Sequence, residues 1–129
     1  MRSGLFLSLL SLVILGMLSF QSDFDASKKR GEEVYMGYCV SCHMADGKGI
    51  QGVFPPLAEA DYLMEDKKRS IDAVKNGLEG KIVVNGIEYN NIMTPLGLSD
   101  QEIADVLNFV RNSWGNEGEM IEIQEISSE

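Results

Sequence analysis

Two cysteines and one histidine, Cys39, Cys42 and His43, form the pattern C-x-x-C-H, and the sequence contains no other residue of either type. Two thiols three residues apart on a helical turn can add to the two vinyl groups of one porphyrin edge. The imidazole of the next residue can then lie under the ring and ligate its iron. This pattern is typical of covalent c-type haem attachment.

Other sites use the same residue types, but the surrounding sequence favours them less. A thioredoxin-like redox pair of cysteines is found in a βαβ context, which the sequence pattern does not provide. A zinc site needs a second C-x-x-C or a pair of histidines, and the chain has neither. A structural disulfide between Cys39 and Cys42 would span two intervening residues, which is uncommon. One covalently bound haem c is therefore the predicted cofactor, with His43 as an axial ligand of its iron.

The sixth position on the iron needs a different residue type, because there is no second histidine. Methionine is the strongest remaining candidate, and the chain has seven. Four of them lie in the N-terminal apolar segment or beside the C-x-x-C-H motif, from where the opposite haem face is hard to reach. Met120 lies in the C-terminal tail and Met64 at a predicted helix end. Met93 lies in a loop with Asn and Pro residues that can pass over the haem, and is the predicted second axial ligand.

The composition describes an acidic chain of 129 residues, with 11 Lys+Arg against 20 Asp+Glu and a formal net charge of −9. This length predicts one domain. The acidity argues against a nucleic-acid-binding protein, which needs a basic surface for phosphates. Two cysteines are too few for a small fold held together by disulfides.

The N-terminus has the pattern of a targeting segment. Residues 1–22 contain one charge, Arg2, and the run from Leu5 to Phe20 has none. A basic start followed by an apolar run predicts a cleaved signal peptide. No pair of small residues marks a good cleavage site, so an uncleaved membrane tether through residues 5–20 is the alternative. Either outcome predicts an exported protein, in the periplasm or anchored to the outer face of the inner membrane.

The elements that position the motif begin with a polar linker at residues 23–30, where Ser27 is a plausible helix N-cap. A helix is predicted to follow, because apolar or small residues recur at helical spacing up to the first cysteine; these are Gly31, Val34, Tyr35 and Tyr38. Residues 44–57 contain three Gly and two Pro and predict a loop. Short helices are predicted near 57–63 and 67–76, with Gly77 ending the second.

The C-terminal half predicts a hairpin, a loop and a final helix. Asn85-Gly86 between two short apolar runs indicates a β-hairpin turn. Ser99 and Glu102 form a capping box that opens a helix ending at Gly115; its apolar stripe is Ile103, Val106, Leu107, Val110 and Trp114, with Phe109 at the edge. Residues 117–129 carry five acids and no basic residue, and are interpreted as a disordered acidic tail, with a docked edge segment as the alternative.

Over residues 27–116 the sequence resembles bacterial monohaem class I cytochromes c. In that family a Gly and an aromatic residue stand eight and four residues before the first haem cysteine, as Gly31 and Tyr35 do here. An aliphatic and an aromatic residue three apart on the last helix resemble Val106 and Phe109. Pro55 stands twelve residues after His43, where the family has a proline, and Met93-Thr94-Pro95 resembles the family's axial methionine loop.

The resemblance implies an all-α cytochrome c fold at residues 27–116, with four to five short helices around one haem and a minor β-hairpin. It implies that the Pro55 carbonyl accepts a hydrogen bond from His43 and that Gly31, Tyr35 and Phe109 support the haem pocket. The expected function is one-electron transfer, without bond-making catalysis, to redox partners such as a membrane oxidase or reductase or a periplasmic dehydrogenase. A ligand-binding or sensory haem protein, and a module of a dehydrogenase or oxidase complex, are the alternatives. The acidity predicts a partner with a basic surface.

Overall fold

The computed structural model describes the backbone of residues 2–128 and the side chains of residues 13, 14 and 16–128. This part of the chain forms six helices and one two-stranded sheet, so the all-α class with a minor hairpin is confirmed. In chain order the elements are α1 (Arg2–Tyr38), α2 (Val40–His43), α3 (Asp61–Met64), α4 (Lys67–Asn76), β1 (Ile82–Val84), β2 (Ile87–Tyr89), α5 (Asp100–Val110) and α6 (Ile123–Ser127).

Helix α1 is continuous, so the prediction of a linker at residues 23–30 is wrong. Nothing local breaks the helix there, since these residues include neither Gly nor Pro. Ser27 is not an N-cap: it is buried, and its hydroxyl donates to the Asp105 carboxylate at 2.6 Å. Arg30 donates two further hydrogen bonds to that carboxylate, at 2.7 and 2.8 Å. Tertiary hydrogen bonds to α5 thus decide the structure of this segment.

The prediction of a targeting segment at residues 1–22 falls largely outside the described side chains and stays a prediction. In the part of the chain that the structure describes, no helix is both long enough and apolar enough to cross a membrane.

Helices α1 and α5 cross at Gly31 in direct backbone contact. A Cβ atom at Gly31 would lie 2.5 Å from the Asp105 carbonyl carbon and 2.8 Å from the Phe109 Cβ. Both distances are shorter than any normal van der Waals contact, so no other residue fits here without moving the helices apart. Beside the crossing, Tyr35 packs on Phe109 with ring centroids 5.5 Å apart and on Trp114 at 5.1 Å.

Helix α5 begins at the predicted capping box of Ser99 and Glu102 and ends earlier than expected, at Val110. Its stripe is buried as predicted up to this residue. Trp114 lies beyond the helix in a turn, with a φ of 53°, so its assignment to the helix is wrong. Its ring still packs on Tyr35 and Phe109, with centroids 5.1 and 5.4 Å apart, because the turn brings it back toward α1 and α5.

The hairpin forms where Asn85-Gly86 predicts it, with φ values of 50° and 77° at the two turn residues. These positive angles match a two-residue turn that follows the twist of the strands. Strand β1 pairs with β2 in antiparallel register, with Ile82 opposite Tyr89. Alternation along the strands therefore places Ile82 and Tyr89 on one face and Val83, which is 57% exposed, on the other.

The C-terminal segment is packed on the domain, so the prediction of a disordered tail is wrong and the docked alternative holds, as a helix instead of an edge segment. Ile121 and Ile126 are fully buried. The Asn108 side chain donates to the Ile121 carbonyl at 3.0 Å and accepts from its amide at 2.7 Å. Two isoleucines and a buried amide partner thus outweigh the repulsion among the acidic residues of this segment.

Candidate haem site

The C-x-x-C-H motif begins at the end of α1 and forms the single turn of α2. The backbone amides of Cys42 and His43 both donate to the Cys39 carbonyl, at 3.2 and 3.0 Å. This turn sets the two thiols one helical turn apart, and both cysteines are half-buried and free. Burial raises the pKa of the Cys39 thiol to about 11, so it is protonated at neutral pH. A redox-active cysteine pair has the opposite property, a lowered pKa on one thiol.

His43 has one ring nitrogen fixed by the protein. Its Nδ1 lies 2.9 Å from the Pro55 carbonyl oxygen, the contact that the family resemblance implied. Because a carbonyl oxygen only accepts, Nδ1 carries the proton and Nε2 has a free lone pair. Burial lowers the pKa of His43, against the raising effect of the Pro55 bond. A neutral imidazole with a fixed tautomer is the form that ligates a metal.

The segment that carries Pro55 is held at both ends. The Gly47 carbonyl accepts from the amides of Leu57 and Ala58 at 2.7 and 2.9 Å, and the Gly49 amide donates to the His43 carbonyl at 3.0 Å. From the other side, the Asn116 side chain donates to the Leu57 carbonyl and accepts from the Glu59 amide, both at 2.9 Å. The carbonyl that orients His43 therefore belongs to a rigid loop.

Met93 is positioned by a backbone bridge to Leu78. The two residues exchange two hydrogen bonds between amide and carbonyl, each 2.8 Å long. The backbone approach is close at Gly77, where a Cβ atom would lie 2.5 Å from the Met93 carbonyl oxygen. Gly77 ends α4 with a φ of 82°, as the sequence predicted. The bridge thus joins the end of α4 to the methionine loop, and Met93 borders the cleft.

These residues border one apolar cleft between the helices and the hairpin. A second lobe of the cleft shares His43, Pro55 and Met93 with the first. No lining side chain in either lobe is an Asp, Glu, Lys or Arg. The lining of the first lobe is Cys39, His43, Pro55, Pro56, Leu57, Tyr62, Leu63, Ser70, Ala73, Val74, Leu78, Ile82, Val84, Met93, Val106, Leu107 and Val110.

The cleft fits a porphyrin by its chemistry. It offers apolar walls for the ring, two thiols one turn apart, an oriented imidazole and a thioether. Imidazole and thioether are known ligands of haem iron. A family model of cytochrome c matches residues 28–114, two thirds of the chain. The chain belongs to the cytochrome c family. Its members bind haem c covalently and transfer electrons, and this protein does both.

Two types of relatives support this assignment. Cytochrome c-552 of Thermus thermophilus is 37% identical over 115 residues, which cover 84% of this chain and 72% of the relative. The cytochrome c subunit of the quinone-dependent alcohol dehydrogenase of Gluconobacter oxydans is 37% identical over 95 residues, 67% of this chain but 18% of the relative. The cytochrome c subunit of gluconate 2-dehydrogenase of Pantoea cypripedii is 36% identical over 92 residues, 67% of this chain and 20% of the relative. The family thus includes both separate cytochromes and subunits of dehydrogenases.

The structure brings Cys39, Cys42, His43, Pro55 and Met93 to the same cleft. The other three predicted supporting residues, Gly31, Tyr35 and Phe109, do not border it. They lie at the crossing of α1 with α5, where the Tyr35 hydroxyl donates to the Met44 carbonyl at 2.6 Å. They therefore support the C-x-x-C-H motif without contacting the cleft.

Sequence reasoning missed Leu78, Tyr89 and Asn116. Leu78 carries no signal, because its partner is distant in the sequence. The position of Tyr89 could have been predicted from the alternation of side chains in the hairpin, which places it on the same face as Ile82.

Proposed function

We propose that this cytochrome carries one haem, bound through thioethers of Cys39 and Cys42, with His43 and Met93 as axial ligands, and that it passes single electrons between exported redox proteins. One observation supports the ligand assignment most directly. The Nδ1 atom of His43 is fixed by the Pro55 carbonyl, and His43 and Met93 border the same cleft. His43 and Met93 would together hold the iron of a bound haem in both oxidation states.

The residues of the cleft would tune a haem that supplies an iron cycling between Fe(II) and Fe(III). The bond from His43 to Pro55 fixes the ring orientation and raises the basicity of the imidazole. A methionine ligand and an apolar surrounding favour the reduced state and raise the potential. The walls exclude water, and the rigid backbone around Pro55 and Met93 limits rearrangement during electron transfer.

Replacement of Met93 by Ala tests the ligand set. The wild type is expected to be six-coordinate and slow to bind CO in its reduced form, whereas M93A should bind CO rapidly and show a lower potential. M36A is the matched control, because Met36 is 55% exposed and does not border the cleft. Rapid CO binding by the wild type, unchanged in M93A, would contradict the proposal and favour the ligand-binding alternative.

The exported location and the membrane tether rest on the uncharged run at residues 5–20. N-terminal sequencing of the protein from soluble and membrane fractions tests both. A soluble form starting near residue 23 would establish a cleaved signal. A membrane form starting at Met1 would establish the tether, and a cytoplasmic form would contradict export.

The partner surface is proposed to be the uncharged region around the cleft. Three uncharged runs, 34–45, 49–58 and 89–99, supply half of the residues that border the two lobes of the cleft, including the cysteines, His43 and Met93. Of the exposed large hydrophobic residues described after residue 20, most lie in these runs: Met36, Tyr38, Ile50, Val53 and Ile92. The acidic residues lie outside these runs. We therefore no longer expect a partner with a basic surface, and propose instead a partner whose docking surface is uncharged and apolar.

Electron transfer to membranes of the native host tests this surface. The wild-type rate should change little with added salt, since screening acts on charges. I92E should slow the reaction severalfold, because Ile92 is 66% exposed beside the cleft. V83E is the matched control on the outer face of the hairpin. A steep fall of the wild-type rate with salt, or equal effects of I92E and V83E, would contradict the proposal.

A role as a dehydrogenase module is the second candidate, favoured by the relatives that are cytochrome c subunits of dehydrogenases. Pull-down from native membranes at low detergent distinguishes the two. Stoichiometric recovery with one enzyme complex would establish the module, and recovery of free protein would establish a separate carrier.

A further inference from the structure

Arg111, directly after α5, is a cation inside the protein. Only 6% of the residue is exposed. Among the residues that the structure describes, its Nε is the one buried side-chain nitrogen or oxygen without a hydrogen-bond partner. Within the same set of residues, the guanidinium makes one hydrogen bond, from Nη1 to the Leu63 carbonyl. A buried charge that lacks an ion-pair partner and part of its hydrogen bonds costs stability, so its presence needs a reason.

The hydrogen bond to Leu63 does not explain why this side chain is charged. The Leu63 carbonyl also accepts from the Ser70 hydroxyl at 2.8 Å, so it has a partner without Arg111. The aliphatic part of Arg111 lies against Gly118, where an added Cβ atom would be 3.1 Å from the Arg111 Cβ. Packing at this place therefore uses the length of the side chain but not its charge.

The charge of Arg111 is not neutralised by a bonded carboxylate. Burial lowers the pKa of Arg111, and Glu119 and Glu125 oppose this through longer-range attraction, without an ion pair among the described residues. Glu125 forms its ion pair with Lys67 at 2.9 Å, and Glu119 is exposed, where water and salt screen its charge. Because arginine stays protonated at neutral pH, a positive charge remains inside the domain.

This charge lies directly behind the wall of the haem cleft. Leu63, whose carbonyl it binds, borders the first lobe, and so does Val110, its neighbour in the sequence. Arg111 itself borders neither lobe. We propose that Arg111 raises the reduction potential of the haem through space, because a buried positive charge disfavours Fe(III), which carries one more positive charge than Fe(II). This inference rests on the proposed binding of haem in this cleft.

Coulomb's law gives the size of the effect. At an effective dielectric constant of about 20, two unit charges about 12–25 Å apart change an equilibrium by about tenfold to threefold. No charged side chain borders the cleft, so none masks Arg111 from nearer the haem. Loss of the charge should therefore lower the ratio of reduced to oxidised protein, at a fixed ambient potential, by about threefold to tenfold.

Spectroelectrochemical titration of the haem-loaded variants at pH 6 tests the charge. R111Q and R111M remove it and should lower the potential by similar amounts, whereas R111K keeps it and should stay close to the wild type. K81Q is the control for the loss of one cation. Lys81 precedes the cleft residue Ile82, but its side chain is 67% exposed and paired with Glu88, so K81Q should leave the potential nearly unchanged.

Guanidinium unfolding of the same variants separates tuning from a structural role. R111M should be at least as stable as the wild type, since it removes an unpaired buried charge and leaves the Leu63 carbonyl bonded to Ser70. A fall of the potential in R111Q and R111M but not in R111K or K81Q supports the inference.

Four results would overturn the inference. They are an unchanged potential in R111Q and R111M, an equal fall in R111K, an equal fall in K81Q, and failure of both R111Q and R111M to fold, which would make the charge structural. A wild-type chain that carries no covalent haem after export would instead contradict the proposed function, and its absorption spectrum shows this before any variant is made.

Discussion

Substitution of Gly31 by Ala is expected to destabilise the protein, whereas the same change at Gly37 in the same helix is expected to stabilise it. Both residues lie in α1, and alanine has a helix propensity about 1 kcal/mol better than glycine. A Cβ at Gly37 meets nothing within 4 Å. A Cβ at Gly31 would overlap the Asp105 carbonyl group and approach the Phe109 Cβ to 2.8 Å.

The magnitude follows from what must move. Neither colliding group is the end of a flexible side chain, so α1 and α5 must separate along the whole crossing. Overpacking of this kind costs about 1–3 kcal/mol and sometimes more. Separation would also stretch the bonds of Ser27 and Arg30 to Asp105. With the propensity gain of about 1 kcal/mol subtracted, overpacking alone leaves G31A up to about 2 kcal/mol less stable than the wild type, and the stretched hydrogen bonds to Asp105 add to this loss. G37A should gain up to about 1 kcal/mol.

Guanidinium unfolding of the haem-loaded proteins, followed by far-ultraviolet circular dichroism, measures both values. Equal slopes of the transitions would show that stability alone has changed. The reasoning would be refuted if G31A were as stable as G37A, because the crossing would then have room for a side chain.

Two further variants test other contacts. N116A removes bonds to the Leu57 and Val110 carbonyls and from the Glu59 amide, so unfolding should require about 3 kcal/mol less, whereas the exposed control N76A should change it by less than about 0.5 kcal/mol. Equal losses would exclude a special role for Asn116. Burial raises the pKa of Glu125, but bonds from Lys67 and the Glu122 amide outweigh this and the net pKa is lowered. This stabilisation is present above the ordinary value of about 4.3 and is lost as pH falls through the folded pKa. E125Q should therefore show a smaller loss of stability on acidification than the wild type in thermal unfolding at pH 6 and pH 3, and identical losses would contradict this.

The elements that the sequence predicted well are those with local causes. The hairpin follows from the conformational freedom of Asn85-Gly86, and the start of α5 follows from the hydrogen bonds of Ser99 and Glu102. The turn of Cys39 and His43 is likewise local, because its hydrogen bonds join residues four apart or fewer.

The elements that the sequence predicted badly depend on partners far along the chain. Residues 23–30 have the composition of a linker, but they are helical because Ser27 and Arg30 bind Asp105. The C-terminal segment has the composition of a disordered tail, but it is folded because Ile121 is buried in the core and binds Asn108. Composition measures the charge of such a segment, but its structure depends on two buried isoleucines and one amide. The position of Leu78 in the cleft wall could not be predicted either, because it depends on backbone hydrogen bonds to Met93 and these do not affect the side-chain pattern of the sequence.

The contact of α1 with α5 also sets the order of assembly. Arg30 and Asp105 are 75 positions apart, on opposite sides of the haem-binding segment. Contacts so distant in the sequence form late in folding, after the intervening chain is available. Helix α1 and the two thiols are therefore complete before α5 is made. The segment around Cys39 and Cys42 stays without its closing helix until residues 100–110 are available.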